Sequence, residues 1–565
     1  MSRTAQFLTE CDHALEATYR AAPTKCRANC FSWRILLGMD NPDRVTYFAA
    51  TDSRGKRVPF GIKKKDRAKH MYVIGKTGMG KSTLLENMAI QDIRNGEGIA
   101  FIDPHGATVD KLLYYIPEHR IDDVVYFAPF DLDNPIAFNV MEDVGYEKRH
   151  LVVSGLMAAF KKIWVDAWSA RMEYILSNTL LALLDYPDAT LLSVNRMYTD
   201  KVFRKKVIEH IKDTVVKDFW VKEFATYTDR YTQEATPAIQ NKIGQFTSNP
   251  LVRNIVGQPK SSFDIRQIMD DRKILLINLS KGLVGETNMR LLGSMLTTRI
   301  FLAALSRADA SPTALARLPD SYFYVDEFQN FANETFAEIL SEARKYKLNL
   351  TIAHQYIEQM EEEVRAAVFG NVGTTVTFRV GPFDAEVLET IFSPEFAQED
   401  LVNLGFAQIY LTLMIDGIGS RPFSATTIPP IEPPSRSYRK EVVESSRELY
   451  SAPRTSIEEA IVTELSAGRQ EQQQQPQSNN KKKKNKNPQQ NNGLSQVVQE
   501  KDKENQESKK AKEDEDRLHL KSVLEKVMKT TEGEKKPSVE PPKQVNGKKA
   551  YEVPEDELKA ILEES

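Results

Sequence analysis

The stretch His70 to Ser82, HMYVIGKTGMGKS, passes from apolar residues into a glycine-rich turn ending in Lys-Ser. Gly75, Gly80, Lys81 and Ser82 fit the phosphate-cradling P-loop pattern G-x-x-x-x-G-K-[ST]. Glycines at 75, 78 and 80 let backbone N–H groups converge on one anion, and a helix starting near Lys81 would add the positive end of its dipole. The expected phosphate-binding set is Gly75, Lys76, Thr77, Gly78, Met79, Gly80, Lys81, Ser82 and Thr83. Within it, Lys81 is expected on the β/γ-phosphates of ATP and the Ser82 hydroxyl on Mg²⁺.

A cradle of this kind implies nucleotide binding and no more. Hydrolysis needs a carboxylate on the metal side and a second one to orient and deprotonate water. Tyr322-Phe-Tyr-Val-Asp326-Glu327 supplies both at the end of an apolar run, with Asp326 on the metal side and Glu327 as general base. Ala353-His354-Gln355 closes the next run. Neighbouring parallel strands align their C-terminal tips along one crevice, so Gln355 is expected near the γ-phosphate or the attacking water. Between these runs, Glu334–Tyr346 is expected to be a helix capped by Asn333, with Phe336, Ile339, Leu340 and Ala343 as its buried stripe. Arg344, at the border of the stripe, suits either a surface ion pair or a reach into a neighbouring subunit's ATP site.

The elements that must hold these residues follow from periodicity. A helix over roughly Lys81–Arg94, a stop at Asn95-Gly96 and a buried strand over Gly98–Asp103 make a right-handed parallel βαβ unit with the strand before the P-loop. Val124–Phe127, Lys273–Leu279, Ser321–Asp326, Asn349–Gln355 and Thr374–Val380 are further strands, and Ala407–Ile415 alternates like an edge strand. From Tyr146 to Arg266 the pattern turns helical, with Trp168, Met172, Ile175, Thr179, Leu180 and Leu183 on one face. The aromatics Phe219, Trp220, Phe224, Tyr227 and Tyr231 beside Lys217, Lys222 and Arg230 suit a packed core better than base stacking. The fold class is α/β: a mostly parallel, doubly wound sheet interrupted by an all-helical domain.

The expected boundaries are a lead-in over 1–57, a P-loop domain in two parts over 58–145 and 267–428, the helical insertion over 146–266, and a disordered tail over 429–565. Val45–Ile62 suggests a small hairpin, and the basic run Lys63–Lys69 a solvated loop. The tail is rich in Pro, Gln, Asn and Lys, with Asp516–Met528 and Pro554–Leu562 as short helical islands.

With 565 residues, 41% of them hydrophobic, the chain can bury a large core, and its net charge of −3 confines any DNA contact to local patches such as Lys281 in Ser280–Glu286. Cys11, Cys26 and Cys30 are too few for a disulfide framework and, even with His13, make a weak metal site, so a reducing compartment is expected. No apolar run reaches bilayer length, so a soluble cytoplasmic protein is expected, peripheral at most to the inner face of the membrane.

Gly75–Ser82, Asp103-Pro-His-Gly106, the helical insertion, Ile274–Ser280, VDEFQN from Val325, SEARKYKLNLTIAHQ from Ser341 and Phe369–Gly381 together resemble the TraG/TraD-like coupling ATPases of conjugative type IV secretion. These belong to the wider FtsK/HerA superfamily, and the resemblance spans about residues 58–428. It implies a RecA-like P-loop ATPase that works as a hexameric ring and drives DNA or nucleoprotein toward a secretion channel, with ATP and Mg²⁺ as cofactors. Lys81 and Ser82 match the family's Walker A pair, Asp326 and Glu327 its Walker B pair, Gln355 the glutamine after the next strand, and Arg344 the arginine that acts in trans. Many coupling proteins carry N-terminal membrane helices that this sequence does not show. That leaves recruitment by a separate membrane subunit or a soluble HerA-like translocase. An ATPase acting on protein substrates and a nucleotide-switched adaptor are the other readings, and Glu327 argues against the last.

Overall fold

The computed structural model describes residues 41–52 and 56–473. The lead-in over 1–40 with its three cysteines, and the two islands of the tail, lie outside the described residues.

The strands are β1 (Val45–Thr51), β2 (Pro59–Lys63), β3 (Met71–Ile74), β4 (Gly98–Asp103), β5 (Val124–Phe127), β6 (Ile274–Asn278), β7 (Ser321–Val325), β8 (Leu348–His354), β9 (Thr374–Thr377), β10 (Gln408–Thr412), the short β11 (Met414–Ile415) and β12 (Ile418–Gly419), and β13 (Phe423–Thr427). The helices that matter for the site are α1 (Lys81–Arg94), α2 (Ala107–Leu112), α3 (Arg149–Ile163), α4 (Ala170–Leu184), α5 (Glu286–Leu305), α6 (Glu334–Glu342), α7 (Glu362–Asn371), α8 (Arg439–Tyr450) and α9 (Arg454–Gln473).

One sheet runs in the order β2-β1-β13-β10-β9-β3-β8-β7-β4-β6-β5, and its β9-to-β5 portion is parallel throughout. Successive residues of β3 point into opposite cores, Tyr72 and Ile74 to one side and Met71 and Val73 to the other. Both faces are covered, which is why these strands are continuously apolar in the sequence. The order also decides the chemistry. β8 lies between β3 and β7, so the residues after these strands end side by side.

β10 is not an edge strand. It pairs with β9 on one side and β13 on the other, and the β1–β2 hairpin docks through β1 on β13 to form the real edge. The alternation is genuine, since Ile409 and Leu411 are buried, but alternation reports one covered face and not the number of neighbours.

Between Tyr146 and Asp270 every described element is helical. Met172, Ile175, Thr179, Leu180 and Leu183 of α4 are buried, and Trp220 sits among Phe219 and Phe224 with its indole N–H donating to the Asn178 carbonyl at 3.3 Å. The aromatic block is a core, as its pattern suggests.

The tail begins later than Pro429. α8 buries Val442 completely and fixes the edge of β5 through a 2.9 Å bond from the Tyr126 amide to Ser446 Oγ. α9 crosses to the helical domain, where Ile457 and Ile461 pack with Leu192 and Glu458 accepts from Asn254 at 3.1 Å. Few apolar residues do this work within a polar stretch, so composition alone conceals it.

The basic run is not a solvated loop. Lys64–Lys69 forms a short 3₁₀ helix in which Lys64, Asp66 and Arg67 are buried. Lys64 and Arg272 converge on buried Glu97 at 2.6 and 3.1 Å. Arg67 lies 3.7 Å from the Tyr322 ring centroid, pairs with Asp92 at 2.7 Å and donates to the Tyr324 hydroxyl at 2.7 Å. These acids are remote in sequence, so nothing local marks the run as internal. Arg67→Met would leave the Asp92 carboxylate buried without its cation, and a loss of about 3–5 kcal/mol is expected. A lowered urea midpoint at unchanged slope checks it.

Candidate active site

The turn after β3 is held by the strands on either side of it. The Gly75 amide donates to the His354 carbonyl at 3.3 Å and the Lys76 amide to the Arg379 carbonyl at 2.8 Å. A Cβ on Gly75 would come within 2.5 Å of the Phe378 Cβ, so only glycine allows β9 this close. Gly80, at φ 115°, turns the chain into α1, whose first residue is Lys81. Buried Lys81 directs its ammonium back into the turn, donating to the Gly75 carbonyl at 2.6 Å and the Lys76 carbonyl at 3.1 Å. Burial lowers its pKa, while Glu327 and Asp326 act in the opposite direction. Met79 is buried beneath the turn, where its sulfur accepts from Arg379 at 3.2 Å, and Thr77 and Gly78 are exposed at the tip.

Asp326 and Glu327 follow β7, one strand beyond β8. The Ser82 hydroxyl donates to Asp326 Oδ2 at 3.0 Å. Burial, then the charges of Asp103 and Glu327, push the Asp326 pKa up to about 6 against the opposing pull of Ser82 and Lys81. A carboxylate in this state gains from a cation placed beside it.

Glu327 adopts a left-handed backbone at φ 48° and ψ 48°, a conformation costly for a residue with a Cβ and common at sites where geometry is imposed. Its Oε1 accepts from Gln355 and its Oε2 from Gln329 at 2.6 Å. Gln355 also accepts from the Thr77 hydroxyl at 2.8 Å, and so bridges the phosphate turn to the acidic pair. His354, just before it, bonds the Tyr72 hydroxyl at 3.2 Å, and burial lowers its pKa to about 3, so its imidazole stays neutral.

The structure thus brings together Lys81, Ser82, Asp326, Glu327, Gln355 and Thr77. It does not bring Arg344 to them. The helix expected over Glu334–Tyr346 is α6 followed by a 3₁₀ turn at Ala343–Tyr346, capped by Asn333 through the Phe336 amide at 3.1 Å. Phe336, Ile339, Leu340 and Ala343 are buried, and Arg344 is exposed on that turn. Two contributors were not anticipated. Gln329 holds Glu327, and Asp103, buried after β4, caps α2 by accepting from the Thr108 amide at 2.8 Å while raising the Asp326 pKa. A side-chain amide two residues past the Asp326-Glu327 pair, and an acid at a strand tip beside the P-loop, are the signals that could have found them.

The residues fit a nucleotide with Mg²⁺. The turn holds the Lys81 ammonium directed inward. Ser82 and Asp326 stand together as one hydroxyl and one carboxylate, the sparse protein share usual where phosphates and waters complete the Mg²⁺ shell. Among the described residues no group of three or more His, Cys, Asp or Glu forms an all-protein metal cage.

The sequence profile of the type IV secretion-system coupling protein DNA-binding domain matches residues 56–392. The chain belongs to that family. The match covers the phosphate turn, the helical insertion and the Asp326-Glu327 strand of this coupling-protein domain. Among solved structures, the plasmid coupling protein TrwB in complex with ADP and Mg²⁺ aligns with a TM-score of 0.50 and 15% identity over 71% of this chain and 98% of that one. The bacterial conjugative coupling protein TrwB in a trigonal form with sulphate aligns at 0.50 and 14% over 71% and 97%. VirB4 of Thermoanaerobacter pseudethanolicus aligns at 0.41 and 14% over 71% and 99%. The two TrwB alignments show the fold, a RecA-like P-loop sheet with its helices. No curated protein matches the sequence.

Proposed function

We propose that this coupling-protein domain is an ATP-hydrolysing motor that moves DNA or nucleoprotein, working as a hexameric ring at a type IV secretion channel. The observation that carries the reading is Gln355, whose side chain bonds both Thr77 of the phosphate turn and Glu327. A polar group in that position senses whether a γ-phosphate lies between them.

Lys81 and the amides from Thr77 to Thr83 bind the phosphates. Ser82 and Asp326 hold Mg²⁺, which when bound offsets the charge of the phosphate oxygens. Glu327 orients the attacking water and takes its proton as the water oxygen bonds to phosphorus and ADP leaves. Arg344, exposed on its turn, serves the site of the adjacent protomer, where a guanidinium offsets charge in the transition state. The ADP and Mg²⁺ bound by TrwB support the choice of ligand.

DNA recognition is read from the family. The segment after β6 is a helical turn, Lys281–Val284, with Lys281 and Leu283 exposed. It stands at the same end of the sheet as the site, suited to a ring's channel. Among the described residues no helix is long and apolar enough to cross a membrane.

The rate of ATP hydrolysis with and without single- and double-stranded DNA tests the motor. Stimulation of about tenfold or more by at least one form is expected. No response to any DNA would favour an ATPase that acts on protein substrates.

A further inference from the structure

The helical domain begins with α3, and the end of that helix reaches the catalytic acid through two steps. Lys162, one residue from the C-terminus of α3, donates from Nζ to the carbonyls of Gln329, at 2.8 Å, and Ala332. Both carbonyls belong to the turn that leaves Glu327, and Gln329 carries the amide that holds Glu327 Oε2. The Gln329 side-chain oxygen is buried and takes no hydrogen bond, so the Glu327 contact is the side chain's one polar tie among the described residues. The Asn330 side chain adds a 3.0 Å bond to the Glu327 carbonyl from within the same turn.

Burial lowers the Lys162 ammonium to a pKa of about 8, with Glu361 opposing and Arg290 adding to the shift. It is therefore mostly charged at neutral pH, and its bonds to the two carbonyls are charge-assisted. Glu327 needs such support. A non-glycine residue in the left-handed region keeps that conformation only when its surroundings impose it. The carboxylate is fixed on one side by Gln355, which answers to the phosphate turn, and on the other by Gln329, which answers to α3.

We propose that Lys162 is a positioning residue for Glu327, coupling the placement of the helical domain to the orientation of the carboxylate that activates water. The inference rests on the ATPase reading of the site. A shift of α3 relative to the sheet carries the carbonyls of 329 and 332 with it, and the Gln329 amide then moves against Glu327 Oε2. The helical domain thereby gains a grip on hydrolysis without touching nucleotide.

Steady-state ATP hydrolysis and ATP-analogue binding by full-length Lys162→Met, Lys162→Arg and Gln329→Leu test this against Glu327→Gln. Lys162→Met is expected to lose about 10- to 100-fold in kcat, as small misplacements of a catalytic group do. KM and analogue affinity stay within about twofold, because neither contact touches the phosphate turn. Lys162→Arg, which keeps the charge and can still reach both carbonyls, recovers most of the rate. Gln329→Leu lowers kcat in the same way with α3 left intact. A kcat for Lys162→Met within about twofold of the parent, or a Lys162→Arg as slow as Lys162→Met, overturns the proposal. If Lys162→Met fails to fold, Gln329→Leu decides, and an unchanged kcat there overturns it. Absence of ATP hydrolysis by the parent protein would instead sink the ATPase reading itself, and normal turnover by Glu327→Gln the role given to Glu327.

Discussion

Glu327→Gln is expected to abolish ATP turnover and to leave ATP binding intact. The exchange keeps the shape of the side chain but removes its capacity to take a proton. A positioned general base contributes about 10²–10⁴-fold to rate, so kcat falls by that factor. Binding survives because the phosphate contacts come from Lys81 and the turn, which do not depend on the Glu327 charge for their geometry. One of the two amides that hold Glu327, from Gln329 or Gln355, loses its acceptor in the variant. That loss is local and lies away from the phosphates. Nucleotide titration alongside single-turnover hydrolysis separates the two effects. A variant that binds ATP poorly, or that still hydrolyses it at the parent rate, contradicts the assigned role.

Arg344→Ala is expected to be at least as damaging to turnover. An arginine that offsets transition-state charge on a transferring phosphoryl group is worth about 10³–10⁵-fold in kcat. Within one protomer the residue sits on an exposed 3₁₀ turn, outside the set formed by Ser82, Asp326, Glu327 and Gln355. A purely intramolecular site would therefore lose little when it is removed. The predicted large loss follows only if a second protomer brings this turn to the phosphates. Burial of the Phe336, Ile339, Leu340 and Ala343 stripe means that truncating Arg344 leaves the helix packing untouched, so the thermal midpoint should stay within about 1–2 °C for a change worth under 0.5 kcal/mol at the surface.

Much of the site was legible in the sequence because strands covered on both faces are continuously apolar and end in their functional residues. Asp326-Glu327 and Gln355 follow β7 and β8 as their spacing predicts, and the lone glycine-rich turn marks β3. What spacing cannot give is strand order, and the place of β8 between β3 and β7 is what lets Gln355 touch both Thr77 and Glu327. Arg67 and Lys64 look like surface charges in the sequence because their partners Asp92 and Glu97 lie on α1 and just before β4. Val442 and Ile457 were lost in a polar tail because a few buried side chains barely alter composition. Lys162 was invisible for the same reason as Arg67, since its acceptors are backbone carbonyls some 167 and 170 positions away.

The proposal that the site is shared between protomers is tested most directly by mixing Arg344→Ala and Glu327→Gln proteins and measuring ATP hydrolysis. Each alone is expected to be inactive. In a mixed ring, a nucleotide held by an Arg344→Ala protomer keeps its own Glu327 and receives Arg344 from its Glu327→Gln neighbour, so that interface is complete. Recovery of hydrolysis to about a quarter of the parent rate in an equimolar mixture is expected, from random neighbours in a closed ring. A mixture as inactive as its two components, under conditions where subunits exchange, would contradict a site completed in trans.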